Sequence, residues 1–146
     1  MAKTKPTTID LGGPSVQREG IAGGAITPGM LVRDVAGTVS VHNVAGGATA
    51  PNFAVENDMV GKGITDAYAT GDQVYYRTFA EGACVNALLA SGQNVAANAP
   101  LQSAGNGYLS AASTADNVIG FAREAINASA AAARIRVHIG KGYTSA

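Results

Sequence analysis

The chain has 146 residues, enough for one domain with a buried core. Ten basic residues balance ten acidic ones, so the formal net charge is zero. That balance, with no dense Lys/Arg stripe, argues against a nucleic-acid binder. Gly is abundant at 19 residues, Ala is also abundant and Trp is absent. Small residues bury little area each, so association with copies or partners is an expected source of stability.

Residues 1–18 read as an extended arm. Lys3, Lys5 and Pro6 precede a brief apolar alternation at Ile9 and Leu11, which Gly12-Gly13-Pro14 interrupts. The start lacks the apolar core of a signal peptide. By composition the arm is a mobile tail. A sharper reading has it order against a neighbouring subunit by strand addition, with Ile9, Leu11 and Val16 as apolar anchors and Lys3 and Lys5 over an acidic surface. On either reading, removing residues 2–17 is expected to spare the fold.

From Glu19 onward, short apolar runs alternate with Gly, Asn and Asp. Met30-Leu31-Val32-Arg33 leads through Ala36-Gly37 into Thr38-Val39-Ser40-Val41-His42, a period-two pattern around a turn. Gln73-Val74-Tyr75-Tyr76-Arg77 leads through Glu81-Gly82 into Cys84-Val85-Asn86-Ala87-Leu88 and predicts a second hairpin. Leu101-Gln102-Ser103 and Tyr108-Leu109-Ser110 flank Asn106-Gly107, which predicts a tight turn with Gly107 at positive φ. Residues 125–133 are Ala-rich, and either a short helical turn or a non-helical link fits them. The last strand is the clearest: Ile135, Val137 and Ile139 alternate with Arg134, Arg136 and His138.

A weak internal repeat joins the hairpin after Pro28 to Val60-Gly61-Lys62-Gly63-Ile64, and the one after Pro100 to Val118-Ile119-Gly120-Phe121-Ala122. Gly within a strand marks a bulge or sharp bend. Many short strands separated by turns indicate a small β-barrel or β-sandwich. The expected class is all-β, with residues 19–146 as one β-rich domain and at most one short helix. No stretch approaches the roughly 18 apolar residues of a membrane helix.

No constellation points to catalysis, so no enzymatic activity is expected. The two histidines, His42 and His138, both fall on the polar register of expected strands, and the single Cys84 opens an apolar one, where an inert buried thiol is expected. Glu56, Asp58, Asp66 and Asp72 are close in sequence but lack a calcium-loop spacing. Gly61-Lys62-Gly63 lacks the spacing of a phosphate loop. No metal or cofactor is expected.

The stretch Phe53-Ala54-Val55-Glu56-Asn57, then Gly61-Lys62-Gly63-Ile64-Thr65-Asp66-Ala67-Tyr68-Ala69-Thr70-Gly71-Asp72-Gln73-Val74, resembles small head proteins encoded beside major capsid genes in tailed phages. The likeness continues through Val85-Asn86-Ala87-Leu88-Leu89-Ala90-Ser91-Gly92-Gln93, Ser103-Ala104-Gly105-Asn106-Gly107-Tyr108-Leu109, Ile119-Gly120 and Ala133-Arg134-Ile135-Arg136-Val137, over residues 27–139. These are the capsid decoration, cement or stabilisation proteins. The resemblance implies a β-rich homotrimer on the outside of the virion shell, bound to the major capsid protein at capsomer junctions, with no membrane or direct nucleic-acid contact and synthesis in the host cytoplasm. Surface candidates for those contacts are Arg134, Arg136 and His138, with the arm residues Lys3, Lys5, Ile9, Leu11 and Val16. Two other readings are a different virion β-domain (tail, spike or minor shell protein) and a carbohydrate-binding β-module. The latter would use Tyr68, Tyr75, Tyr76, Tyr108 and Tyr143 as platforms.

Overall fold

The computed structural model describes residues 6–112 and 117–142, and they form an all-β fold. Five strands close a barrel in the order β10 (Val118–Ala122), β12 (Ala133–Gly142), β6 (Cys84–Leu89), β9 (Leu109–Ala111) and β8 (Pro100–Ser103). A five-stranded sheet packs beside it: β2 (Val32–Val35), β3 (Thr38–Val41), β1 (Ser15–Ala22), β5 (Gln73–Phe79) and β4 (Asn52–Ala54). A small pair joins β7 (Gln93–Val95) to β11 (Ile126–Ala128). The one helical element among the described residues is a single 3-10 turn, Asp58–Val60.

β5 shows why the chain needs both layers. Val74 and Tyr76 enter one core with Ile26, Val32 and Val39. Tyr75 and Phe79, on the opposite face, pack into the larger core with Leu31, Phe53, Leu89, Leu101, Leu109 and Ile135. Period-two alternation on a strand covered on both sides feeds two cores at once. In the larger core, Phe53 and Phe79 meet edge to face with ring centroids 5.9 Å apart.

The hairpin at Ala36-Gly37 is present, with both residues at positive φ (52° and 90°), as its two-residue turn requires. The one expected at Glu81-Gly82 is not. β5 is already flanked by β1 and β4, so the turn hands the chain from the sheet to the barrel, where β6 pairs with β12. β8 and β9 do form a hairpin, yet Ser103 pairs with Leu109, so five residues make the connection rather than a two-residue turn. Gly107 has φ +85° as expected. The 125–133 segment supplies β11 and a bend, not a helix. The internal repeat does not extend to structure: 118–122 is a strand, whereas 60–64 turns out to solvent around Gly61 in the left-handed region. Gly120 does mark an irregularity, because the β10–β12 register shifts between Val118 and Gly120. A Cβ there would lie 2.4 Å from the His138 carbonyl oxygen.

The first described residues belong to the fold. β6 and β9 share only the Leu89–Leu109 pairing. Beside the rest of β6 the chain lays residues 9–12: Asn86 N–H donates to Ile9 O (2.8 Å), Leu11 N–H to Cys84 O (3.0 Å) and Cys84 N–H to Gly12 O (2.9 Å). Ile9 is fully enclosed in the larger core. The boundary expected at Arg18 falls inside β1, which pairs with β5 from Ser15 to Ile21. The described part of the arm therefore cannot be removed without opening both sheets.

Barrel and sheet are also joined at His42. The sequence places it on a polar register, but the chain leaves β3 at Val41 and the ring turns inward, 5% exposed. Its Nδ1 lies 2.7 Å from Ser103 Oγ at the end of β8, and the ring forms a backbone hydrogen bond with Ala48. Ser103 Oγ also accepts Gly105 N–H (3.2 Å), and Gly46 N–H donates to Ser103 O (2.9 Å). Burial, with a smaller push from Arg33, holds the imidazole below its ordinary value, against the Ala48 bond.

Three outcomes follow for stability. Ile9→Ala should cost about 2–5 kcal/mol through lost burial and a cavity. Gly107→Val should cost about 1–3 kcal/mol, since its φ is unfavourable for a β-branched residue and its Cβ would press on Met30 and Val41 at 3.2 Å. Both are read from urea midpoints. His42 binds a proton more readily unfolded than folded, so its contribution is fully present above about pH 6.5 and is lost as pH falls through the lower folded value. Stability measured across that range should decline on acidification, and His42→Gln should flatten that part of the profile. An unchanged slope in the variant would remove His42 as its cause.

Candidate functional site

The outward row of β12 lies over β6, with Arg134 opposite Leu88, Arg136 opposite Asn86 and His138 opposite Cys84. The inward row, Ile135, Val137 and Ile139, is buried as the alternation predicts. The outward residues differ in what they can do. Arg134 is half-buried, and its guanidinium donates to Pro28 O (2.6 Å) and Ile64 O (2.7 Å). It therefore ties two loops of the sheet layer to the barrel. Burial lowers its pKa, with Glu56 opposing that shift. Arg136 faces Glu124, with Nε 4.0 Å from Oε2, and the same carboxylate oxygen accepts the Arg136 backbone N–H (3.1 Å). His138 is exposed.

Arg134 and Arg136 line a cleft of about 710 Å³. Ile64, Ile126, Ala132, Ala133, Pro6 and Asn86 also line it. Asn86 is almost fully buried, and its amide donates to Thr8 O (3.2 Å). The structure thus brings the arm's described start together with the Arg row, a proximity that sequence spacing does not reveal. An apolar trough with a few convergent polar groups is the usual form of a recognition groove.

The remaining interaction candidates separate. Leu11 is half-buried along β6, and Ile9 is inside the core, so its anchoring is internal. Val16 is exposed on β1, which pairs with β3 only at Ile21 and Ala22. Lys3 and Lys5 lie outside the described residues.

His42, Ser103 and Cys84 are buried, whereas Asp66 and Asp72 are exposed. The His42–Ser103 pair joins a base to a hydroxyl, but both residues are buried and Ser103 is already engaged by Gly105. Cys84 is a buried free thiol whose sulfur lies 3.8 Å from an Arg123 guanidinium nitrogen. Among the described residues no three of His, Cys, Asp or Glu gather to hold a metal ion. Asp66 and Asp72 accept the Gly63 and Ala69 N–H groups, which orders their loops. No helix among the described residues is long and apolar enough to cross a membrane.

None of the four described tyrosines is exposed. Tyr68 is buried and donates to Val55 O (2.7 Å); burial raises its pKa. Tyr76 is buried and donates to Asp34 Oδ2 (2.7 Å), and burial together with that carboxylate pushes its pKa up to about 12. Tyr75 and Tyr108 are half-buried, and Tyr143 lies outside the described residues.

No protein-family model matches the chain, and no curated protein matches it. Among solved structures it is similar to the N base of the head fiber gp8.5 in bacteriophage phi29, with a TM-score of 0.63 and 11% identity. The match covers 91% of this chain and 100% of that one, so the two share an overall fold.

Proposed function

We propose that this chain is a non-enzymatic structural protein of a tailed-phage virion, which binds the outside of the head where capsomers meet and stabilises the shell. The observation that carries the reading is the fold it shares along nearly its whole length with a phage head-fiber base. The order of head-protein-like motifs over residues 27–139 supports it independently. The Arg134–Arg136 cleft suits an extended segment of the major capsid protein, and the copies act as a homotrimer.

The physical logic is linkage. A ligand that binds only the assembled shell stabilises it by its binding free energy. Several copies gripping adjacent subunits add avidity without stronger single contacts. Such a role calls for a rigid scaffold and exposed loops, which the two packed layers provide.

A second reading has a specific support: the phi29 neighbour is described as the base of a fiber. On that reading the domain is the foot of a longer head appendage rather than a cement. Electron microscopy of particles carrying the protein separates the two. Density at capsomer junctions with a raised disruption temperature is expected for the cement. Density only at the foot of a projecting fiber would overturn it in favour of the appendage.

His138→Glu and Ala132→Glu alter exposed positions on the outward row and at the cleft rim. Both should fold as the parent does and weaken particle binding by about tenfold, a loss of about 1.4 kcal/mol. Co-sedimentation with particles lacking the protein measures this. Unchanged binding in both variants would take the cleft out of the contact.

A further inference from the structure

β1 is an inner strand of its sheet over only part of its length. β5 pairs with it from Ser15 to Ile21, whereas β3 meets it only at Ile21 and Ala22. Beyond that point the β2–β3 hairpin turns back at Ala36-Gly37, where Gly37 N–H donates to Asp34 Oδ1 (2.8 Å). Gly20 lets the turn close down on β1, since a Cβ there would lie 2.8 Å from Gly37 O. The position beside Ser15–Glu19, in line with β3, is filled by no described strand.

Hydrogen-bond direction shows what that gap presents. Ile21 N–H donates to Gly37 O (2.8 Å) and Gly23 N–H to Val39 O (2.9 Å), while Ala22 N–H donates to Asp72 O (2.8 Å). Odd-numbered residues thus address the β3 side and even-numbered ones the β5 side. The alternation of an antiparallel pair carries this back along β1, so the N–H and C=O groups of Ser15, Gln17 and Glu19 face the gap. They form a row of donors and acceptors roughly 17 Å long. The chemical object that matches such a row is an extended polypeptide backbone. Val16 and Arg18 flank the gap on one face, and both are exposed. Arg18 donates to the neutral Thr78 Oγ1 (3.1 Å) and makes no ion pair with a described residue. On the other face Gln17 and Glu19 are engaged by Arg77 and Gln73.

We propose that an extended segment of the virion shell, carrying an apolar side chain toward Val16 and a carboxylate toward Arg18, adds to β1 beside Ser15–Glu19 and continues the line of β3. This rests on the virion reading above and gives it a main-chain contact in addition to the cleft. The size of the gap favours the shell over a second copy. A strand pairing this short falls well below the roughly 1,200–2,000 Å² that a self-standing protein–protein interface buries. Repeated on every copy over a lattice, the same short contact adds up.

Gln17→Pro tests the contact, because that N–H points into the gap and its loss leaves the β1–β5 bonds in place. The variant should fold, and its binding to particles lacking the protein should weaken by at least about tenfold. Gln17→Ala keeps the N–H and should bind within about twofold of the parent. An equal loss in both variants would assign the effect to the side chain and overturn the proposal. Hydrogen exchange on the parent chain gives a readout that does not depend on how the proline is tolerated. Free in solution, the Gln17 and Glu19 amides should exchange fast while those of Val16, Arg18 and Gly20 are protected; on particles, Gln17 and Glu19 should become protected as well. Particle binding without that protection overturns the strand addition and leaves the virion role standing. A parent chain that binds no particle overturns the virion role and this contact with it. Self-association of the free parent that Gln17→Pro abolishes would put a second copy in the gap and overturn the proposal too.

Discussion

The fold depends on one continuous run of backbone, residues 9–22. Its first part pairs with β6 and fills the side of the barrel that β9 leaves open; its second part, β1, pairs with β5 along seven positions. Barrel and sheet are thus strung on the same segment, and the Gly12-Gly13-Pro14 break is the bend between them. Around that bend the polar groups converge. Glu56 accepts the Ile9 N–H, Asp10 Oδ1 accepts the Gly12 N–H (2.9 Å), and Arg77 reaches both Asp10 (3.7 Å) and Ser15 Oγ (3.1 Å). The ion pair itself is partly exposed and contributes little. Its value lies in fixing where the chain turns, because an error there would misplace both sheets.

Two further ties set the layers' relative position. Arg134 reaches from the barrel to carbonyls of the Pro28 and Ile64 segments, and His42 reaches from the sheet's hairpin to Ser103. Each is a polar group taken partly or wholly out of water, a cost met only by the hydrogen bonds it finds. Such bonds are directional where apolar packing is not. Apolar contacts tolerate small shifts, whereas a guanidinium on two carbonyls and an imidazole on a hydroxyl do not.

What the sequence discloses follows from how local each feature is. The alternation in β12 is legible because one strand with one covered face writes its register directly into residue type. The Ala36-Gly37 turn and the positive φ of Gly107 are legible because backbone sterics act within two or three residues. The Glu81-Gly82 hairpin misleads because a turn signal reports a reversal of direction but not which strand comes next. Ile9 and Leu11 look like a tail because their partner, β6, lies more than seventy residues away. His42 continues an alternating pattern, so its inward turn depends on Ser103, sixty-one residues later. Arg134 and Arg136 are readable as an outward row. That Arg134 is consumed by its own fold, while the cleft beside it opens, depends on loops no periodicity describes.

The small residues that limit burial per residue also allow the backbones to come close. Gly120 lets β10 approach the His138 carbonyl more nearly than any side chain permits, and Gly13 does the same at Ala83. Close backbones make a stiff scaffold whose geometry is set by hydrogen bonds rather than by bulky packing. A stiff scaffold suits a protein that must span neighbours at fixed spacing, because little ordering entropy is then lost on docking. The Arg134–Arg136 cleft and a hollow lined by Phe79 and Ile119 both draw on β12 but share no lining residue, the first using 133, 134 and 136 and the second Ile139. Neither hollow therefore depends on the other's lining.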